Sequence, residues 1–390
     1  MTILCENIDP DGDTLITISY VAETSQTADE LETVAEPAVT EEPVADNEPM
    51  AAEGLVEHSF SELRLKVSKK HLTVASRRAR TMFEREYCET QKSEVDGLYH
   101  WKIEPLFDPE ALKIVLRALH AQTQDLPDQV SLDMMVSIAE VVDDLLCHQA
   151  LSFFVKVWIT RLSPSQSVFS QMCDDLVKWI FVTSVFGLDD KFKQATRTAI
   201  MHSTGPIDIL GLPMRLDIPD KIEQNRQDLL QDLINHLHIV LDNLCSGRSC
   251  VIPQCGLTMI GALTKQMHIN NLHSPRLTRP VINLSLSSTL AAVRCLDSPS
   301  LYLPAEMISP GSVNDPFFGY QEDFWLLQKK KIPSSSRKKK HRGLLEPEDD
   351  EATDNTPREL MVHYCRLQDL LEPGIILVES RLSTLDLGCD

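Results

Sequence analysis

Residues 63–83 read LRLKVSKKHLTVASRRARTMF. Leu63, Leu65 and Val67 alternate with Arg64 and Lys66, the two-residue period of a strand with one buried face. From Ser68 the pattern changes to that of a helix, and Ser68–Phe83 reads as one helical run. Upstream, Asp11-Gly12-Asp13 is a turn that starts an earlier strand, Thr14–Tyr20. Downstream, Tyr99, Trp101 and Ile103 alternate with His100 and Lys102. Asp108-Pro109 then opens a helix with a good N-cap and proline at the first helical position. Its Leu112, Val115, Leu116 and Leu119 fall on one stripe. Two further stripes follow: Leu132, Met135, Val136, Ala139 and Leu146, then Leu151, Phe154, Val155, Trp158 and Leu162. The expected class is α+β, a small sheet with packed helices whose business is presenting surfaces.

The order strand, strand, helix, strand, helix, helix, helix resembles the BTB/POZ fold. The run Val67–Ser76 is similar to the family's first long helix, where a Leu-x-x-Ala-Ser core precedes Ala-Met-Phe; here the matching residues are Leu72, Ala75, Ser76 and Thr81-Met82-Phe83. Asp108–His120 resembles the next family helix. Leu126-Pro127-Asp128-Gln129-Val130-Ser131-Leu132 is similar to a stretch found in the BTB proteins of filamentous fungi. The resemblance covers Ile8–Tyr20 and Leu63–Leu162, extends weakly to about Leu272, and stops before Leu296. It implies a first-strand and first-helix surface for homodimerisation, on Leu15, Ile16, His71, Leu72, Met82 and Phe83. It also implies a cullin-type ubiquitin-ligase contact, for which Tyr87 would be the apolar anchor and Glu89 the charged group. Where the family usually places proline and an aromatic, this chain has Arg77-Arg78-Ala79-Arg80, so that end of the helix is exposed or faces something acidic.

The net charge of −21 is local. Met1–Leu63 holds 16 of the 58 Asp and Glu and none of the 37 Lys and Arg, leaving −5 for the rest. The segment 21–62 buries too little to offset chain entropy and is expected to be a disordered insertion, looped out between two paired strands. It acts either as a solvating loop or as a docking segment for a basic partner. Acidic residues stand where a secretory n-region would be basic, and no apolar run approaches the ~20 residues that span a bilayer. With ten cysteines, this points to free thiols in a reducing, intracellular setting and to no membrane partner.

Helical patterning continues to about Leu244. Cys173, Leu176, Val177 and Ile180 form one stripe, and Phe192, Ala195, Thr196 and Ala199 another. Gly205-Pro206, Leu212-Pro213 and Ile218-Pro219 read as loop punctuation before a helix over Lys221–Leu244. That helix aligns Leu230, Leu233, Ile234, Leu237, Leu241 and Leu244, either to pack on its own domain or to form a coiled coil. Cys245, Cys250 and Cys255 recur every five residues, with His268 downstream. They are either free thiols around a loop or a zinc set, since zinc takes four thiolate or imidazole ligands and favours C-x(2–4)-C pairs. No cofactor is expected otherwise. Asp9-x-Asp11 lacks the glycine and bidentate glutamate positions of a calcium loop.

The domain reading is therefore a BTB/POZ-like domain over 1–162 interrupted at 21–62, a helical extension over 163–296, a linker over 297–356, and a tail over 357–390 with a short helix at Pro357–Leu371. The linker carries Lys329, Lys330, Lys331, Arg337, Lys338, Lys339, Lys340 and Arg342, a nuclear-import candidate that would engage an import receptor. The alternatives are a solvated linker or weak nonspecific phosphate contact. No phosphate loop, nucleophile elbow or zincin motif occurs, and no folded reader of specific nucleic acid. The expected function is a non-catalytic adaptor that self-associates or recruits proteins, in nucleus or cytoplasm with the nucleus favoured. A cullin-ligase substrate adaptor and a nuclear transcription-associated regulator are the alternatives.

Overall fold

The computed structural model describes residues 2–21, 60–85, 90–103, 107–166, 171–250, 252–273, 277–304 and 360–388. The alternating stretch forms the end of β3 (Phe60–Val67), which lies between β1 (Thr2–Asn7) and β2 (Thr14–Val21). The sheet order is β1-β3-β2-β4, with β4 at Tyr99–Ile103. β2 and β3 pair antiparallel, with Ile16 opposite Leu65 and Ile18 opposite Leu63. β4 runs parallel to β2, and β1 parallel to β3. Leu63, Leu65 and Val67 are buried beside Ile16, Ile18, Trp101 and Ile103, as the period requires.

Gly12 turns the chain into β2. A Cβ built there would lie 2.5 Å from the Val67 carbonyl oxygen, so the close approach of turn and strand depends on glycine. Strand β1 is an addition to the expected order. Thr2–Asn7 has no clean alternation, and Ile3, Leu4 and Cys5 are all exposed, so no period marked it. The acidic insertion is also shorter at both ends than 21–62. Val21 belongs to β2, and Phe60, Ser61 and Glu62 to β3; residues 22–59 lie outside the described part.

The helical run after β3 is two helices, α1 (Lys69–Ala75) and α2 (Arg77–Glu84). Ser76 breaks them by adopting extended backbone, φ −109° and ψ 122°. Its hydroxyl accepts the Ala79 N–H at 2.9 Å and donates to the Leu145 carbonyl at 2.6 Å. One buried serine therefore starts α2 and satisfies the end of another helix, which local propensity alone does not reveal.

After β4 come α3 (Pro109–Leu119), α4 (Leu132–Leu145) and α5 (His148–Gln166). Asp108 caps α3 through the Ala111 N–H, and Ser131 caps α4 through the Met134 N–H. The sequence stripes face inward except at Leu146, which is exposed and ends α4 in left-handed backbone; each fully buried leucine contributes about 1.5–3 kcal/mol. Trp158 buries its ring while its Nε1 donates to the Pro127 carbonyl at 2.8 Å.

α4 packs on α6 (Asp174–Val185), and α6 on α7 (Asp189–His202). The long helix α8 spans Asp217–Cys245. It begins earlier than its leucine stripe because Pro219 sits in the first turn, where a missing N–H costs nothing; Ile218-Pro219 is helix start rather than loop. Helix α8 packs against α7, α9 (Pro253–Ile269), α10 (Leu286–Arg294) and α11 (Leu367–Thr384). Its leucine face is covered within the chain.

The C-terminal segment differs from its expected form. Leu360–His363 is strand β6, paired antiparallel with β5 (Leu301–Pro304), and the helix starts only at Leu367. The apolar residues of 357–371 belong to two elements, and cross-strand pairing decides the first of them. The remainder of the expected linker, 305–356, and the first residues of the expected tail, 357–359, lie outside the described residues. Among the described residues the fold is thus mixed α/β, eleven helices with a small four-stranded sheet and a two-stranded ribbon. No described helix is long and apolar enough to cross a membrane.

Candidate partner surface and a Cys/His cluster

The residues expected to form a dimer surface separate into two groups. Ile16, Leu72 and Phe83 are buried in the core, so they support the fold and offer no surface in this state. Leu15 and Met82 are half-buried, and His71 is exposed. The physical reason is topological: β2 lies inside the sheet, between β3 and β4. The exposed apolar groups near that end are instead Ile3 and Leu4 on the edge strand β1, and Val74 on α1, 70% exposed. The outer edge of β1 pairs with no described strand. Tyr87 and Glu89, and the whole basic cluster Lys329–Arg342, lie outside the described residues.

Two of the three arginines in Arg77-Arg78-Ala79-Arg80 have partners within the chain. Arg78 pairs with Asp144 of α4 and lies over the Trp101 ring, 5.9 Å from its centroid. Arg80 donates to the carbonyls of Thr73 and Val74, which close α1. An acidic neighbour and a helix end explain two of the three positive charges.

A second site is a cluster of four soft donors. Cys250, Cys255, His363 and Cys365 place one ligand atom each within 4.8 Å of one another. Cys250 lies in the loop between α8 and α9, and Cys255 in the first turn of α9, with Pro253 opening the helix. His363 ends β6, opposite Leu301 of β5, and Cys365 precedes the first residue of α11 by two positions. The Cys250 Sγ is 3.3 Å from the His363 Nε2 and accepts the Ile252 N–H at 3.3 Å. Cys255 is buried, as is His363; Cys250 and Cys365 are half-buried. Hydrogen bonds from Cys255 and Cys365 hold the Cys250 thiol far below its ordinary range, and donating to Cys250 pushes Cys255 up. Cys147 is a contrast: burial, helped by the Asp144 charge, pushes its thiol up to about 12, which leaves it inert.

Two members of the expected zinc set, Cys250 and Cys255, enter this cluster, and two do not. Cys245 is exposed at the end of α8. His268 is exposed near the far end of α9, 13 residues beyond Cys255 in the same helix and so about 20 Å along its axis. His363 and Cys365 were not legible as partners. They stand over 100 residues away, and only the signal of a His-x-Cys pair marked them.

A third polar feature lies inside the helical region. Arg226 of α8 is fully buried and donates to Glu223 at 2.7 and 2.6 Å, to the Leu284 carbonyl at 2.8 Å and to the Val281 carbonyl at 2.9 Å. Gln227 exchanges two bonds with the Val281 backbone, at 2.8 and 2.9 Å. Every contact is internal, and the group ties α8 to the segment leading into α10.

The chain matches no protein-family model, no curated protein and no solved structure.

Proposed function

We propose that this chain is a non-catalytic protein-interaction scaffold whose residues 2–166 work as a BTB/POZ-like module, with a second copy of the chain as the first partner. The observation that carries the reading is the strand order. An antiparallel β2–β3 pair, helices α1 and α2, and a strand β4 parallel to β2 followed by α3, α4 and α5 support it, with strand β1 and the break between α1 and α2 as departures from the expected order. The exposed edge of β1 and the uncovered Val74 supply surface on which such a module could add a strand or bury apolar area. Helices α6–α11 extend the scaffold without a break in packing from α4.

The test is the mass of the full chain by light scattering across a dilution series. Self-association gives a mass twice the 43.9 kDa of one chain, reduced toward one chain by Leu4→Lys or Val74→Glu. A mass of one chain at every concentration removes the self-association reading.

A further inference from the structure

We propose that Cys250, Cys255, His363 and Cys365 form a structural zinc site that staples the C-terminal segment to the α8–α9 corner. The donor set is three sulfurs and one imidazole nitrogen, the Cys3His composition of closed tetrahedral zinc centres. Zn–S bonds of about 2.3 Å put the sulfurs of a tetrahedral site about 3.8 Å apart, so ligand atoms already within 4.8 Å need only a small contraction. Cys250-x4-Cys255 sits at the wide end of the usual pair spacing and His363-x-Cys365 is tighter than it. Cys250-x4-Cys255 and His363-x-Cys365 are two local pairs brought from two segments, as structural sites are commonly built.

The surroundings favour a bound cation over four bare donors. Zinc takes all three cysteines as thiolates, releasing their protons, and its double charge offsets the repulsion among them. Cys255 lies in the first turn of α9 and Cys365 just ahead of α11, so two helix N-termini point partial positive charge at the remaining negative charge. The Ile252 N–H already bonds the Cys250 sulfur, the outer contact that orients a metal-bound thiolate. Sulfur donors at tetrahedral spacing select zinc over calcium or magnesium, which take oxygen ligands.

The mechanical consequence follows from the topology. His363 is 113 residues beyond Cys250 and ends β6, which pairs with β5. A metal at this point pins the β5–β6 ribbon to the α8–α9 corner and fixes where α11 begins. No chemistry is asked of the ion; the four positions are filled by protein, which leaves no open site.

The experiment uses the full chain, purified under reducing conditions without chelator, and measures metal by inductively coupled plasma mass spectrometry. The expected result is about one zinc per chain, lost at least about tenfold in Cys365→Ser and His363→Gln and retained in Cys245→Ser and His268→Gln. Loss of metal in Cys245→Ser comparable to that in Cys365→Ser would overturn the ligand set. A second measurement needs no variant. In the native chain, Cys250 and Cys365 should resist iodoacetamide while exposed Cys245 and Cys295 react, and removing zinc should unmask the first pair. Cobalt(II) added to the stripped chain should give thiolate-to-cobalt charge-transfer absorption. A stripped chain that binds neither cobalt nor zinc, or a disulfide found between any two of the three cysteines, sinks the proposal.

Discussion

The Ser68 backbone N–H donates to the His120 Nε2 at 3.0 Å, while the His120 Nδ1 lies 2.7 Å from the Leu116 carbonyl. A carbonyl only accepts, so Nδ1 carries the proton, Nε2 accepts, and the imidazole is neutral. One buried ring thus joins the last turn of α3 to the residue before α1. Burial pushes its pKa below the ordinary value, opposed by the Leu116 bond, and the neighbouring His71 ring at 5.0 Å adds to the lowering.

The sign of the pH effect is set by that lowering. A base that titrates lower when folded takes up more protons when unfolded, so stability falls as pH drops from about 6.5 toward the folded value. His120→Leu leaves the Ser68 N–H without its acceptor and should cost about 1–3 kcal/mol at neutral pH. The gap between wild type and variant should narrow as pH falls through the imidazole range. Thermal unfolding across that range checks it, and parallel curves for the two proteins would exclude the role assigned to His120.

Ser76→Ala removes two bonds at once, the cap on the Ala79 N–H and the donor to the Leu145 carbonyl. The expected cost is about 1–3 kcal/mol, with Ser76→Thr smaller because it keeps the hydroxyl. Ser131→Ala is the comparison. Its side chain is exposed and caps only the Met134 N–H, so it should cost about 1 kcal/mol or less. Urea midpoints of the three variants decide the order.

The contrast between those serines also marks how much was legible. Period located β3, β4, α3 and α4, because each buries one regular face, and α3 also opens on a local cap signal, Asp108-Pro109. The break at Ser76 was hidden, since its reason is a carbonyl 69 residues away. Strand β1 and the β5–β6 ribbon were hidden likewise, as short strands depend on their partners. Half of the Cys/His cluster was visible as a five-residue spacing. The other half was supplied by pairing across the β5–β6 ribbon, which no local pattern encodes.

Arg226 was not singled out from sequence because a charged residue on a long helix ordinarily faces water. Here its charge is balanced by Glu223, whose carboxylate is held below its ordinary range: burial works against ionisation, and the Arg226 and Gln227 bonds outweigh it. Glu223→Ala leaves the buried guanidinium without its counter-charge and should cost about 3–5 kcal/mol. Arg226→Met, which removes the charge and keeps much of the volume, should cost less than Glu223→Ala. Denaturant unfolding of both variants tests the ranking; a larger loss in Arg226→Met would show that the carbonyl bonds outweigh the charge balance.

Gly374 controls the docking of α11. A Cβ at this position would collide with the His236 ring of α8, whose Nε2 lies 3.2 Å from the Leu370 carbonyl one turn earlier. An ion pair from Arg381 to Asp232 closes the same interface, while Arg294 of α10 pairs with Glu379 and Arg197 of α7 donates to the Leu385 carbonyl at 2.8 and 3.1 Å. Gly374→Val must push α11 away from α8, at a cost of about 1–3 kcal/mol, and should speed amide exchange in 367–384 while leaving 132–145 unchanged. Gly261 is the opposite case. It lies on the exposed face of α9 with no atom near a built Cβ, so Gly261→Ala should stabilise by roughly 0.5–1 kcal/mol through helix propensity. Hydrogen exchange with mass spectrometry reads both. Equal and uniform exchange across the chain in Gly374→Val would mean that α11 does not detach locally and that its packing is lost only with the whole fold.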